Sequence, residues 1–295
     1  TSAGCRRLHR YTRARFDLIA SDGNVSGRRG RDGRSWATLT HDHEALVEDT
    51  IKRAERSRDP VTLPPGDYDV VLEPPALAEL VEWMCLIAFG ARTLADGSSP
   101  LAERMGQMLT GPLTFYDDAL SGEADCPTLP FDAEGTPRRR VTLVDGGVAR
   151  AVVHDRATAL LAGAGSTGHA APIADELSEG APLPAHAMIA AGDDDEADLP
   201  ARVERGLYIS RFHYVNGLLD TRRALMTGMT RDGVWLIDKG TVGRAVANMR
   251  WTESLLEAGT RLAGISRTRR LTAAGLNEGW YVCPTILFRG WKFGG

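Results

Sequence analysis

Two tight-turn signals set between apolar runs constrain the fold of this chain more than any other feature. Val141 to Val144 and Val148 to Val153 flank Asp145-Gly146-Gly147, a tripeptide able to supply the positive φ angles that a two-residue hairpin needs. Leu225 to Thr230 and Val234 to Ile237 flank Arg231-Asp232-Gly233 in the same way. Two successive hairpins predict antiparallel sheet as the core of the second half of the chain.

The first half alternates between sheet and helix signals. Tyr11 to Ala20 carries Phe16, Leu18 and Ala20 on alternate positions, and Gly23 with Gly27 to Gly33 reads as a polar, Gly-rich turn joining strands. From Asp42 the spacing becomes helical through Leu46, Val47, Ile51 and Ala54. Asp42 can cap that helix, Arg53, Arg56 and Arg58 complement its dipole, and Pro60 ends it. Leu63-Pro64-Pro65-Gly66 is a hard break, which places a domain boundary between 1–62 and 63–295. Ala76 to Phe89 then reads as a mostly buried helix, with Leu77, Leu80, Val81, Met84 and Ala88 on one stripe and Gly90 as its stop.

Residues 94–130 are irregular and polar. Gly163 to Arg202, with Asp193-Asp194-Asp195-Glu196, holds too few large apolar residues to fold alone and reads as a long loop or lid within a sheet-rich domain. Asn248 to Gly259 returns to helical spacing through Met249, Trp251, Leu255 and Leu256. The fold class expected is α+β, an incomplete α/β N-terminal portion followed by a larger antiparallel-sheet-rich domain.

Bulk properties exclude several classes. A hydrophobic fraction of 43% supports a substantial core, and a net charge of −4 gives no reason to expect nucleic acid or an anionic membrane as partner. The apolar stretch around Leu77 to Phe89 is interrupted by Glu79 and Glu82, so no run reaches bilayer length. Cys5, Cys85, Cys126 and Cys283 are far apart, as free thiols in a reducing cytoplasm would be. The chain opens on Thr1-Ser2-Ala3 without an initiator Met, as a fragment or processed chain would.

Several segments occur in the order found in the TldD/PmbA family. They are Leu63-Pro64-Pro65-Gly66-Asp67-Tyr68-Asp69-Val70-Val71-Leu72, then Pro130-Phe131-Asp132-Ala133-Glu134-Gly135-Thr136-Pro137-Arg138-Arg139, and Ser166-Thr167-Gly168-His169-Ala170. Glu204-Arg205-Gly206-Leu207-Tyr208-Ile209 and the run from Thr227-Gly228-Met229 through Lys239-Gly240 to Asn248-Met249 complete the set. The ordered series resembles a PmbA/TldE-like member of that family from Leu63 to Gly295. The resemblance implies a cytoplasmic peptidase system acting on unfolded or small peptides, in which TldD-like and PmbA-like subunits assemble. Modulation of DNA gyrase and processing of modified peptides are also attached to the family.

In TldD-like members a helix carries His-Glu-x-x-x-His and a later Cys completes a zinc site, whose metal activates water while the Glu takes its proton. The corresponding helix here reads Ala78-Glu79-Leu80-Val81-Glu82-Trp83-Met84-Cys85-Leu86-Ile87, and no His occurs between His43 and His154. The resemblance therefore implies no metal in this chain and zinc in a TldD-like partner, within a homo- or hetero-oligomer. Catalytic candidates are Glu79 and Glu82 as bases and Cys283, near where the ligating Cys falls; a solvated helix face and a buried thiol are the simpler readings. His41-Asp42-His43-Glu44 lacks the spacing of a helical ligand pair and reads as a capped helix start.

Candidates for substrate contact are Asp132, Glu134, Ser166, His169, Tyr208 and Tyr214. Asp132 and Glu134 also suit a turn held by backbone amides, and Ser166 with His169 a polar loop. Arg138-Arg139-Arg140 could meet an anionic group or form a solvated strand end. Peptide is expected to add as a strand, at Leu207 to Val215 or at the Leu225 to Ile237 hairpin. Two other readings stay open: a peptidase working alone through an unrecognised site, with Cys283 as one candidate member, and a non-enzymatic binding or regulatory module of the gyrase-modulator type.

Overall fold

The computed structural model describes residues 4–171, 180–276 and 279–294. In chain order, β1 (Ala14–Asp22) and β2 (Val25–Gly33) form an antiparallel hairpin, followed by α1 (Trp36–Thr40) and α2 (His43–Arg56). Next come β3 (Gly66–Leu72), α3 (Pro74–Ile87), α4 (Ala91–Ala95), β4 (Phe115–Asp117), β5 (Val141–Asp145), β6 (Val148–Ala149) and α5 (Arg156–Leu161). The remainder is β7 (His186–Ile189), β8 (Arg205–Asp220), β9 (Leu225–Asp238), β10 (Thr241–Ala245), β11 (Arg250–Ser254), α6 (Leu255–Thr260), β12 (Leu262–Thr272) and β13 (Trp280–Phe293). The class is α+β, with a large sheet as its body.

That sheet runs β10-β9-β8-β3-β13-β7-β4-β5-β6, with β12 on β13 and β11 bridging β13 and β9. Its pairs are antiparallel except β3 with β8 and β13 with β7. Because β11 touches both β9 and β13, the strands β3, β13, β11, β9 and β8 close a ring of pairings. Phe212, Trp251 and Trp291, one from each of three of those strands, are fully buried against one another, with ring centroids 4.8–5.9 Å apart. Three such rings bury enough apolar surface to anchor the closure.

Helix α3 lies against β8 and β13 and is buried on most sides, as its apolar composition requires. It begins at Pro74-Pro75, where a missing N–H costs nothing because the first turn has no intrahelical acceptor.

Several sequence expectations are corrected by long-range packing. Gly27 to Gly33 is not a turn but strand β2, in register with β1 from Ala20↔Gly27 to Ala14↔Gly33. Gly27 lets α2 approach closely: a Cβ there would lie 2.5 Å from Ala54 N and Thr50 O. Asp42 stands at the N-cap position of α2 but makes no cap bond, because its carboxylate pairs with Arg31. Trp251 and Glu253 are buried on alternate positions, so the front of the Asn248 to Gly259 segment is β11, and Ser254 then caps the short α6 by accepting from Glu257 N.

The Gly163 to Arg202 stretch is not all loop. His186–Ile189 is fully buried and inserts as β7 between β13 and β4, and Asp194 bridges to Ser266 of β12. Arginines meet its acidic run: Arg202 at Asp194, Arg267 at Asp195 and Arg270 at Glu196. Residues 172–179 of that stretch lie outside the described residues.

Arg231-Asp232-Gly233 is not a turn either, because β9 runs straight through it. Ile209 pairs with Val234 and Arg211 with Arg231, so Asp232 and Gly233 together face Ser210 as a β-bulge. Asp232 (φ 57°) and Gly233 (φ 130°) supply the positive φ angles there. The turn after β9 uses Lys239 (φ 48°) and Gly240 (φ 77°). A Cβ on Gly233 would lie 2.3 Å from the Trp235 ring. Gly233→Ala is therefore expected to cost about 2 kcal/mol or more in chemical denaturation, combining strain at φ with overpacking.

No helix among the described residues is long and apolar enough to cross a membrane.

Candidate functional site

Packing of β2 and α2 against the sheet leaves a groove of about 710 Å³. Its walls come from Arg28–Asp32 of β2, from α1 and α2, and from Arg269–Thr272 of β12, with Glu73, Tyr208 and Ser210 between them. Glu73, just before the α3 prolines, has a side chain only 5% exposed. Arg53 donates to both its oxygens (2.8 and 3.0 Å), Tyr208 OH donates at 3.0 Å and Ser210 Oγ at 2.9 Å, with Arg29 at 3.4 Å. Burial alone would raise the Glu73 pKa, but Arg53 and Arg29 outweigh it and hold the carboxyl below its ordinary range. The groove thus has a fixed, hydrogen-bonded charge at its base.

A second acidic group stands about two turns along α3. Glu82 is fully buried and accepts from Leu276 N (2.8 Å) and Tyr281 OH (3.3 Å). Glu79 is pushed up to about 7, first by burial and then by the Glu82 charge, against the pull of Arg211 and Arg28. Asp32 of β2, whose carboxyl is also raised by burial, accepts from Ala273 N at 3.2 Å.

The remaining sequence candidates scatter. Tyr208 lies in the groove, bound to Glu73. Asp132 is buried and accepts from the backbone N–H groups of Glu134, Thr136 and Ala170, so it holds a turn. Glu134 accepts from Arg156, while Ser166 donates to His154 O. Tyr214 is 81% exposed on β8 at φ 53°, away from the groove lining. Arg140 stacks on Tyr116 with its guanidinium carbon 4.0 Å from the ring centroid. Of the strands expected to pair with peptide, β8 has β9 along one side and β3 on the other only from Gly206 to Ile209, while β9 has β8 with β10 or β11.

His169 is fully buried, so it is not a surface contact. Its Nε2 meets Asp117 Oδ1 at 2.9 Å and its Nδ1 faces Thr167 O and Oγ1, both at 2.9 Å. The other Asp117 oxygen accepts from His186 N at 2.7 Å. Burial opposes ionisation of Asp117, yet His169 holds its pKa well below the carboxylate range. The His186 ring, itself buried, is pushed down to about 4 by loss of solvation.

Among the described residues, no group of three His, Cys, Asp or Glu side chains converges as a metal site needs. The donor chemistry points the same way. The α3 face offers two carboxylates and no imidazole, and the Cys283 thiol is fully buried with its pKa raised by burial, whereas zinc needs a thiolate. His41 and His43 rest their Nδ1 atoms against carbonyl oxygens of Thr38 and Thr40. The residues present do not fit the family's zinc.

Sequence reasoning missed Glu73, Arg29 and Ser210, and it read Arg53 as a dipole charge. The signals available were an acid directly before a Pro-Pro helix start and an arginine-rich strand.

Comparison with known proteins extends beyond the site. The structure superposes on TldE from Thermococcus kodakarensis with TM-score 0.81 at 20% identity, covering 96% of this chain and 62% of that one. It superposes on a candidate modulator of a DNA gyrase from Thermotoga maritima with TM-score 0.81 at 18% identity, covering 96% and 62%. A similar candidate modulator from Bacteroides thetaiotaomicron gives 0.73 at 19% identity, covering 96% and 60%. The chain thus spans about three-fifths of the length of these structures, and identities this low carry the fold alone. No curated protein matches it. A family model described as the PmbA/TldA metallopeptidase C-terminal domain matches residues 65–295. With more than three quarters of its length under that one model, the chain belongs to the TldD/PmbA family.

Proposed function

We propose that this protein is a PmbA/TldE-like, non-catalytic subunit of a cytoplasmic TldD/TldE-type peptidase, with the zinc chemistry in a TldD-like partner. The observation that carries this reading is the donor set of α3: Glu79 and Glu82 stand on the helix that in TldD-like members bears the imidazoles, and Cys283 is buried as a neutral thiol. The groove at the start of that helix, lined by Glu73, Pro74 and Pro75, then serves to hold unfolded or small peptide. β12 pairs only with β13 over residues 269–272, and β2 pairs only with β1, among the described residues. Both strands line the groove, so an extended peptide could add to the open edge of either one through main-chain hydrogen bonds with little sequence preference. These edges join that of β8 beyond Ile209, which pairs with β9 alone among the described residues, as strands offered to substrate.

Metal analysis of the full-length protein, purified without a partner and equilibrated with zinc, tests the reading. The expected result is less than about 0.1 zinc per chain and no peptide hydrolysis. One zinc per chain, lost on Cys283→Ala together with hydrolytic activity, would establish a self-sufficient peptidase instead.

A further inference from the structure

The groove lies between two bodies that share no apolar core. Leu39, Leu46 and Ala54 are the buried apolar side chains of residues 14–56, and none of them joins the apolar clusters of the sheet, which begin at Val61. The unit formed by these residues is knit to itself: β1 and β2 pair only with each other, α2 crosses them so closely that Gly27 has no room for a Cβ, and Phe16 meets Trp36 edge-on at 5.8 Å. What joins the unit to the sheet is polar. Arg53 and Arg29 reach Glu73, Ser26 Oγ donates to Asp232 at 2.6 Å, and Asp32 accepts from Ala273 N at 3.2 Å. Arg34 meets Asp125 through its backbone N–H (3.0 Å) and its Nε (2.9 Å), while Arg53 and Arg56 lie over the Trp235 ring. The segment before β1 adds His9 Nε2 at Thr128 O (2.7 Å) and Arg13 over the Trp280 ring. These contacts are uneven: the Glu73 side chain is 5% exposed, whereas those of Arg34 and Asp125 are 48% and 31% exposed.

We propose that residues 14–56 form an ion-pinned lid over the groove, which pivots about Glu73 and the 57–65 connection and releases first where Arg34 meets Asp125. A junction without a shared apolar core exposes little hydrocarbon when it parts, so opening costs less than unfolding either body. Salt screens exposed pairs far more than buried ones, which makes the Arg34 end the loose one and the Glu73 end the pivot. Closure also bears on the groove itself. The Ala273 N to Asp32 bond draws the free edges of β2 and β12 together at one end, where an added strand needs about 4.8 Å beside either of them. Swinging the unit outward supplies that space. The lid needs no peptide in the groove and no partner subunit, so it stands or falls apart from the proposed function.

Paired spin labels in the full-length protein, with the half-buried Cys5 changed to Ser, read the lid directly. Glu44→Cys and Asp198→Cys place labels at exposed positions close to Ala45 and Glu196, which line the groove from the unit and from the sheet. The expected distance distribution holds a second population longer by at least about 5 Å, one strand spacing. Its share should rise at least about threefold from about 0.05 M to about 1 M NaCl, as the screening length falls to about 3 Å. Asp125→Asn, which keeps an acceptor but removes the charge, should raise that share at low salt and weaken the salt response. Label pairs within the unit (Ile19→Cys with Glu44→Cys) and within the sheet (Glu103→Cys with Asp198→Cys) should each keep one distance throughout. A single distance across the groove at both salt concentrations, or a second population that either control pair shows equally, overturns the lid. Should Asp125→Asn fail to fold, Arg34→Gln makes the same test, and a salt response unchanged in it overturns the lid equally.

Discussion

Replacing His169 with Ala is expected to destabilise the fold by about 3 kcal/mol, because the substitution leaves a buried carboxylate without its hydrogen-bond partner. Asp117 and His169 side chains are both at zero exposure, 2.9 Å apart, and fixed by bonds to Thr167 and His186 N. For a domain of this size such a loss lowers Tm by on the order of 10 °C. The double variant Asp117→Ala, His169→Ala should cost well under the sum of the two single changes, since it removes the stranded charge with the base. Urea denaturation of the four proteins makes the cycle, and a His169→Ala loss below about 1 kcal/mol would show that the pair is not what holds β4 to the 166–170 loop.

Acid sensitivity should follow from the neighbouring His186. Its folded pKa of about 4 lies below the ordinary 6.5, so between those values the unfolded chain binds a proton that the folded chain refuses. Stability from this group is therefore complete above about pH 6.5 and is lost as pH falls toward 4, by about 3 kcal/mol in total. Asp117, whose folded pKa is depressed, adds its own loss at still lower pH, beginning below the ordinary carboxylate value. His186→Phe keeps a ring beside Trp280, 6.4 Å away between centroids, and should flatten the profile from pH 6.5 to 4 while leaving the steeper loss below it. An unchanged slope in that variant would assign the sensitivity to another group.

Helix α3, the β5–β6 hairpin and the family itself could be read in the sequence because their signals are local or ordered along the chain. The β9 bulge could not, since Asp232-Gly233 offers the same positive φ angles to a turn or to a bulge, and only pairing with Ser210 decides between them. β2 was hidden by its glycines and arginines, whose carboxylate partners Asp17, Asp42 and Asp49 lie on β1, at the α2 N-cap and within α2. β7 is four residues long and gains its place only from neighbours distant in the chain. The groove base follows the same logic: Glu73 draws its partners from residues 29, 53, 208 and 210, so no local pattern announces it. His169 stood out as a residue, but Asp117, 52 positions away, made it a buried hydrogen-bond partner.

The central claim is that this chain shapes a peptide-binding groove while another subunit supplies the metal chemistry. Reconstitution tests it most directly: hydrolysis of an unfolded peptide is followed with the full-length protein alone, with a zinc-loaded TldD-like subunit alone, and with both mixed. The account predicts no turnover from this protein alone and at least a tenfold gain in the mixture over the TldD-like subunit alone, preserved in Cys283→Ala. Turnover by this protein alone, abolished by a chelator and by Cys283→Ala, would contradict it.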